Sequence, residues 1–373
     1  MKFLYFITLF AILHNQARLV SPAASAINSI LAKSKSLLDN IYKTFTHVVP
    51  ALPLKMGTST INLVCTTFHN YIQKHIPAKF TPKLKNIKLQ LRTACAKREY
   101  PLSDLSGLAA DKDFDRKKKT VIMSTGWTTQ VDNGQHDILA KAYNCRGDTN
   151  YLALDVSDYI QTLYTWSSEN TNTIGKYVAK GLQKLLTFID VADLHLIGHS
   201  LGAQIMGSAA RHYRMLTGKS LPYVTGLDPA LPCFSIRKGL STLSSQDADF
   251  VDIIHTDPGV LGQYETYGHV GFYVGGKYPI KNGCTTPSCS HGIVIPFYAE
   301  SVYPNNNRDF IAKQCTSSKR LNCNGAETVM GFAVSHNARG TYMLETNAKA
   351  PYGKNAGSGY TDPKSSKCGT CQG

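Results

Sequence analysis

The segment LHLIGHSLGAQ, from Leu194 to Gln204, restricts the fold of this chain more tightly than any other stretch. An apolar run of strand character stops at Gly198, and a run with helical spacing starts just after Ser200. So tight a turn from strand to helix forces its central residue, Ser200, into a strained backbone conformation. Glycines at Gly198 and Gly202 keep side chains from colliding there. The Ser200 hydroxyl is thereby presented at a helix N-terminus, where the backbone amide of Leu201 can stabilise a developing oxyanion.

The surrounding sequence alternates in the same way. TVIMSTGW and YLALDVSDY are short apolar runs. IGKYVAKGLQKLLTFI is spaced as a helix through Ile174, Val178, Leu182, Leu185 and Leu186, and AQIMGSAARHYRML reads as the helix after the serine. YVTGLDP and VDIIHTD are strands that end in loops. Strands alternating with helices predict an α/β fold with a central, mostly parallel sheet flanked by helices.

An unactivated serine is a poor nucleophile, so an acid and a base are expected downstream, in the order Ser, Asp, His. Asp228 closes a strand and is followed by Pro229, where a loop carboxylate belongs. Of the later histidines, His212 falls in the helix after the serine and His255 sits in a structural-looking HTD; His269, His291 and His336 remain. His291, in a loop late in the chain and just past Cys284 and Cys289, is the best placed base.

At its start, MKFLYFITLFAILHNQA puts Lys2 before an apolar run from Phe3 to Leu13, and small residues follow. That is the layout of a signal peptide over residues 1–26, and no stretch reaches transmembrane length, so a secreted, extracellular protein is expected. Export makes disulfides the default reading of the ten cysteines. Close pairs suggest Cys284 with Cys289, Cys315 with Cys323, Cys368 with Cys371 and Cys65 with Cys95, leaving Cys145 and Cys233. No Cys-x-x-Cys is matched by a second ligand pair at finger-like spacing, so no metal is expected. Residues 27–100 hold twelve Lys or Arg against Asp39 and Glu99 and read as a basic helical extension or pro-segment, with apolar faces at Ile27, Ile30, Leu31 and again at Ile61, Val64, Phe68, Ile72. Basic faces could meet anionic lipid; a nucleic-acid partner is not expected.

The stretch from about Pro101 to Tyr352 resembles the secreted lipase family of animals, which includes pancreatic lipase, lipoprotein lipase and insect venom phospholipases A1. The resemblance is carried by LHLIGHSLGAQIMG, VTGLDPALPCF, DADFVDIIHTD, CSHGIVIPFYAESV and RGTYMLETNAKAPYG. It implies the α/β-hydrolase fold, Ser200 as nucleophile, Asp228 as acid, His291 as base and no cofactor. Where relatives read His-Gly-Phe this chain has Thr125-Gly126-Trp127, so the resemblance adds Trp127 to Leu201 as an oxyanion donor. Two departures stand out: Gly271 replaces an Asp in the Gly-His-x-Asp-Phe segment, and Ser244 replaces an Asp that binds calcium in some members. Residues 101–352 are thus expected as the lipase domain, and 353–373 as a cysteine-containing tail.

Substrate choice in that family is thought to follow two surface loops. The lid loop, closed by the disulfide expected between Cys284 and Cys289, is reduced here to Thr285-Thr286-Pro287-Ser288; the second is only PGVLGQYETY. Four residues cannot form a helix that covers the site. By resemblance the short loops favour a phospholipase A1 acting on phospholipid at a membrane or micelle surface. The alternatives are a galactolipid or neutral glyceride lipase, or a non-catalytic yolk-like storage or lipid-binding protein.

Overall fold

The middle of a parallel sheet requires short apolar strands buried on both faces, and the chain provides a series of them. In the computed structural model these are β3 (Lys119–Ser124), β4 (Thr149–Asp155), β5 (Leu194–His199), β6 (Leu221–Leu227), β7 (Ala248–His255) and β8 (Val270–Val274). They lie parallel in the order β4, β3, β5, β6, β7, β8, and β11 (Gly340–Leu344) adds one more parallel strand on β8. Antiparallel strands finish both edges: β1 (Lys88–Arg92) and β2 (Lys97–Pro101) beyond β4, β9 (Ile311–Gln314) and β10 (Glu327–Val329) beyond β11. The structure describes residues 51–236, 239–317 and 321–371; the expected signal segment and the first expected helix lie outside them.

Helices cover both faces. α1 (Ala51–Lys74) precedes the sheet, and α2 (Gly134–Arg146), α3 (Tyr164–Leu185), α4 (Leu201–Thr217), α5 (Pro287–Gly292) and α6 (Val294–Val302) follow in order. One core packs Ile174, Val178, Leu182, Ile205 and Met206 of α3 and α4 on Leu152, Leu196, Val224 and Val251; the other packs Leu139, Tyr143, Phe297 and Tyr298 on Met123, Ile197 and Phe272. Each such side chain, fully buried, contributes about 1.5–3 kcal/mol over its exposed state. This is the central, mostly parallel sheet flanked by helices that the sequence pattern predicts, in the α/β-hydrolase arrangement that the resemblance implies.

Three findings correct or extend the sequence reading. Residues 88–101, grouped there mostly with the helical extension, form the edge strands β1 and β2. Cys284–Cys289 and Cys315–Cys323 are paired as expected, but Cys65 joins Cys233, Cys95 joins Cys371 and Cys145 joins Cys368. The tail runs back along the body, so Cys368 and Cys371 meet partners 4.9 and 4.6 Å away, Cα to Cα, from two different elements, and sequence proximity was the wrong guide. Buried Glu300 of α6 pins the start of the tail: its carboxylate accepts from the amides of Tyr352 and Gly353 and from the Tyr360 hydroxyl at 2.9–3.1 Å.

One acid is buried within the sheet itself. Thr225 Oγ1 donates to Asp252 Oδ1 at 2.6 Å, and His195 Nε2 lies 2.8 Å from the same hydroxyl. Burial pushes the Asp252 carboxyl up to about 7, against the pull of its hydrogen bonds with Thr225 and Tyr223. The folded chain therefore keeps a proton that the unfolded chain releases near pH 4, so this group's contribution to stability falls as pH rises from about 4 to about 7, by up to about 4 kcal/mol. Asp252→Asn keeps the acceptor for Thr225 without the charge. We expect its melting temperature, relative to that of the parent chain, to rise between pH 5 and pH 8 in thermal unfolding followed by circular dichroism; a parallel pH dependence would count against the assignment.

Candidate active site

Ser200 sits at the junction of β5 and α4 with φ 56° and ψ −121°, a region L side chains rarely occupy, at a cost of about 1–3 kcal/mol. Both flanking glycines are sterically required. A Cβ on Gly198 would lie 2.3 Å from the amide nitrogen of Ala203, and one on Gly202 would lie 2.1 Å from the carbonyl oxygen of Ser124. The strained residue is held by its neighbours: its amide donates to the carbonyl of Leu227 at 3.1 Å, and its own carbonyl accepts from Ala203 and Ala230, each at 3.1 Å. Its side of the sheet is thus bonded to the end of β6.

Asp228 is the first residue past β6, fully buried, with its amide bonded to the carbonyl of Ile254 at 2.7 Å. Its carboxylate accepts from the amides of Thr256 and Asp257 at 2.9 and 3.1 Å, and from His291 Nδ1 at 2.6 Å. Burial alone would raise its pKa, but the bond to His291, that residue's charge and the two amides outweigh it and leave the carboxyl below its ordinary value. An ionised Asp228 fixes the proton of His291 on Nδ1 and leaves Nε2 as the basic nitrogen. Its neighbour Asp257 behaves oppositely: burial and the charge of Asp228 hold its carboxyl well above the ordinary range.

His291 does not lie in a loop, as expected, but in the last turn of α5. The turn is short yet well capped. Thr286 accepts from the Cys289 amide at 3.2 Å, Pro287 opens the helix, and the Lys281 amide donates to Ser290 Oγ at 2.9 Å. The four-residue span between Cys284 and Cys289 is therefore used as a helix cap and first turn.

The oxyanion candidates lie on either side of the serine. Leu201 is the first residue of α4, at the positive end of the helix dipole. Gly126 approaches so closely that a Cβ on it would lie 2.7 Å from the Cβ of Ser200, which places Trp127 beside the elbow. The Trp127 indole donates to the Thr162 carbonyl at 2.7 Å and its ring meets Tyr164 edge-on at 5.5 Å, fixing the backbone that carries its amide.

Sequence reasoning missed His199. Its Nε2 lies 2.9 Å from the carbonyl oxygen of His291, and the two rings are 4.8 Å apart. Burial, with the nearby charge of His291, pushes the His199 pKa down to about 3, so the ring is neutral and donates from Nε2. Ser200 and its preceding residue thus both contact the rest of the site, one through backbone and one through a ring. His255, by contrast, is structural as expected: its Nε2 bonds Thr266 Oγ1 at 2.8 Å and its Nδ1 the Gln263 carbonyl at 3.0 Å. The same Thr266 accounts for Gly271, since a Cβ there would lie 1.9 Å from its hydroxyl oxygen and no Asp could fit. Lys281 is buried behind the site, its ammonium donating to the carbonyls of Gly276 and Tyr278, and burial pulls its pKa down to about 8. Nothing in the sequence around it signals that position.

If His199 holds the backbone of His291, His199→Leu should lower kcat for ester hydrolysis about 10- to 100-fold with KM little changed, and His199→Gln, which keeps a donor, should restore much of it. Steady-state kinetics on a soluble ester would check this. Equal losses in both variants would remove the positioning role.

Residues 65–352 match the model of the family described as Lipase. The chain is 31% identical to Vitellogenin-1 of Ceratitis capitata over 56% of its own length and 48% of that protein's. It is 28% identical to Phospholipase A1 of Vespa crabro, over 69% of this chain and 91% of the other, and 30% identical to Pancreatic lipase-related protein 2 of Cavia porcellus, over 63% and 55%. It therefore spans about half the length of the first and third of these relatives and nearly all of the second. With the elbow, the buried Asp228–His291 pair and a family match across most of its length, the chain belongs to the Lipase family.

Proposed function

We propose that the chain is a secreted serine hydrolase of lipid esters, acting as a phospholipase A1 that releases the sn-1 fatty acid of phospholipids. The observation that carries the reading is the 2.6 Å bond from His291 Nδ1 to the buried carboxylate of Asp228, in a fold that also presents Ser200 on a strained elbow. His291 Nε2 takes the proton of Ser200 as Oγ attacks the ester carbonyl, and Asp228 stabilises the imidazolium that forms. The amides of Leu201 and Trp127 stabilise the tetrahedral oxyanion. His291 then returns the proton to the departing alcohol, and water activated by the same ring hydrolyses the acyl-enzyme. The short span between Cys284 and Cys289 favours a phospholipid over a triglyceride, because it leaves the polar head group room. The similarity to Phospholipase A1 of Vespa crabro over nearly its whole length supports the same choice.

The similarity to Vitellogenin-1 favours a second reading, a non-catalytic storage or lipid-binding protein. A fluorophosphonate probe separates the two. We expect stoichiometric labelling at Ser200 that Ser200→Ala abolishes; no adduct in folded protein would favour the second reading. With phosphatidylcholine and triolein offered as substrates, the phospholipid should be cleaved at least tenfold faster, as about 1.4 kcal/mol of discrimination requires. Faster cleavage of triolein would reverse the substrate assignment.

A further inference from the structure

Residues 230–233, just past Asp228, are tied to three separate parts of the molecule. The Ala230 amide donates to the carbonyl of Ser200 at 3.1 Å, and the Pro232 carbonyl accepts from the Tyr164 hydroxyl at 2.9 Å. The Cys233 amide donates to Asn62 Oδ1 of α1 at 2.6 Å. Tyr164 opens α3, and its ring meets that of half-buried Trp127 edge-on at 5.5 Å. A continuous series of contacts therefore runs from α1 through Cys233, Pro232 and Tyr164 to Trp127, one of the two oxyanion candidates.

Cys233 is the joint in that series. Its φ is 74°, a left-handed backbone that a residue with a side chain disfavours and keeps only where its surroundings impose it. Here the amide is held by Asn62, the carbonyl accepts from the Leu240 amide at 3.0 Å, and the side chain is bonded to Cys65. Two of these three restraints come from α1, the helix that the sequence presents as an extension or pro-segment. Buried Cys65, with Ile61, also packs in the cluster that holds Tyr164, Leu201 and Trp127. The helix has a further anchor of its own: His69 Nδ1 lies 2.7 Å from the buried carboxylate of Glu169 on α3. Its position is thus set by the body of the fold as well as by the segment it restrains.

We propose that α1 braces the oxyanion hole: Asn62, with Cys65 and through Cys233 and Tyr164, is a positioning residue for the backbone amide of Trp127, and the active protein keeps α1. The catalytic consequence rests on the lipid-ester reading above. An oxyanion donor acts only where its amide meets the developing charge at hydrogen-bond distance, so loosening the brace lowers turnover and leaves substrate binding nearly unchanged.

The test compares Asn62→Ala with Asn62→Asp, which keeps an acceptor for the Cys233 amide. In Asn62→Ala, kcat on a soluble ester is expected to fall about 5- to 50-fold with KM little changed, and fluorophosphonate labelling of Ser200 to slow in parallel. Asn62→Asp should stay within about threefold of the parent in both. A second readout needs no turnover. Trp127 is the sole tryptophan left in a Trp166→Phe background. There, Asn62→Ala should shift its emission to the red and increase its quenching by acrylamide, and Asn62→Asp should do neither. Should the alanine variant fail to fold, Tyr164→Phe, which removes the bond to Pro232, is expected to give the same loss of kcat and the same red shift. Unchanged kcat in Asn62→Ala, equal losses in the two Asn62 variants, or unchanged Trp127 fluorescence would overturn the proposal. Active secreted protein whose amino terminus lies beyond Cys65 would do the same. If the parent itself gives no fluorophosphonate adduct, the hydrolase reading falls, and the fluorescence of Trp127 still decides whether α1 holds that residue.

Discussion

The close approach of α4 to the ends of β3 and β5 is the constraint from which the rest of the site follows. Hydrogen is all that fits at Gly198 and Gly202, and Ser200 must adopt a backbone that its side chain disfavours. Such strain persists where the surroundings over-determine it. Here the carbonyl of Leu227 and the amide of Ala230, on either side of Asp228, hold Ser200 from the neighbouring strand exit. The serine and the acid are therefore one backbone unit, and the spacing between them is set before any side chain is considered.

Onto that unit the fold sets charges of deliberate asymmetry. Asp228 and Asp257 are both buried and close enough for one to influence the other, yet His291 and two amides favour the charge on Asp228, whereas burial and the charge of Asp228 disfavour one on Asp257. His199, stripped of solvent beside His291, stays neutral. The carboxylate of Asp228 thus faces His291 Nδ1 at 2.6 Å, with the neighbouring groups biased away from charge.

Much of this was legible in the sequence, and for identifiable reasons. The strand-serine-helix pattern, the Asp-Pro after β6 and the alternation of apolar runs are local signals, and local signals survive in a linear chain. What escaped was set by tertiary contact. β1 and β2 lie in a stretch whose charge suggested a solvated extension, but their role depends on the open edge of β4. His199 looked like a spacer in the elbow, and its partner is a backbone carbonyl far along the chain. Thr266 and Gly271 make sense only together, since a threonine fills the space that an aspartate side chain would need. Cys284–Cys289 and Cys315–Cys323 were legible, but the pairings of Cys65, Cys95, Cys368 and Cys371 were not, because pairing follows proximity in space and the tail crosses to elements read hundreds of residues earlier.

The long-range crosslinks also order events in time. Cys95 and Cys145 belong to elements made early, whereas their partners Cys371 and Cys368 are 276 and 223 positions further on. During synthesis these two thiols emerge well before their partners, and Cys233, Cys284, Cys289, Cys315 and Cys323 emerge in between and could capture them. Correct maturation is therefore a problem of thiol custody, in which any early wrong match has to be undone by thiol–disulfide exchange before the tail can pair. A stop codon just before Cys368 would remove few residues from the core but would leave both early thiols permanently without partners.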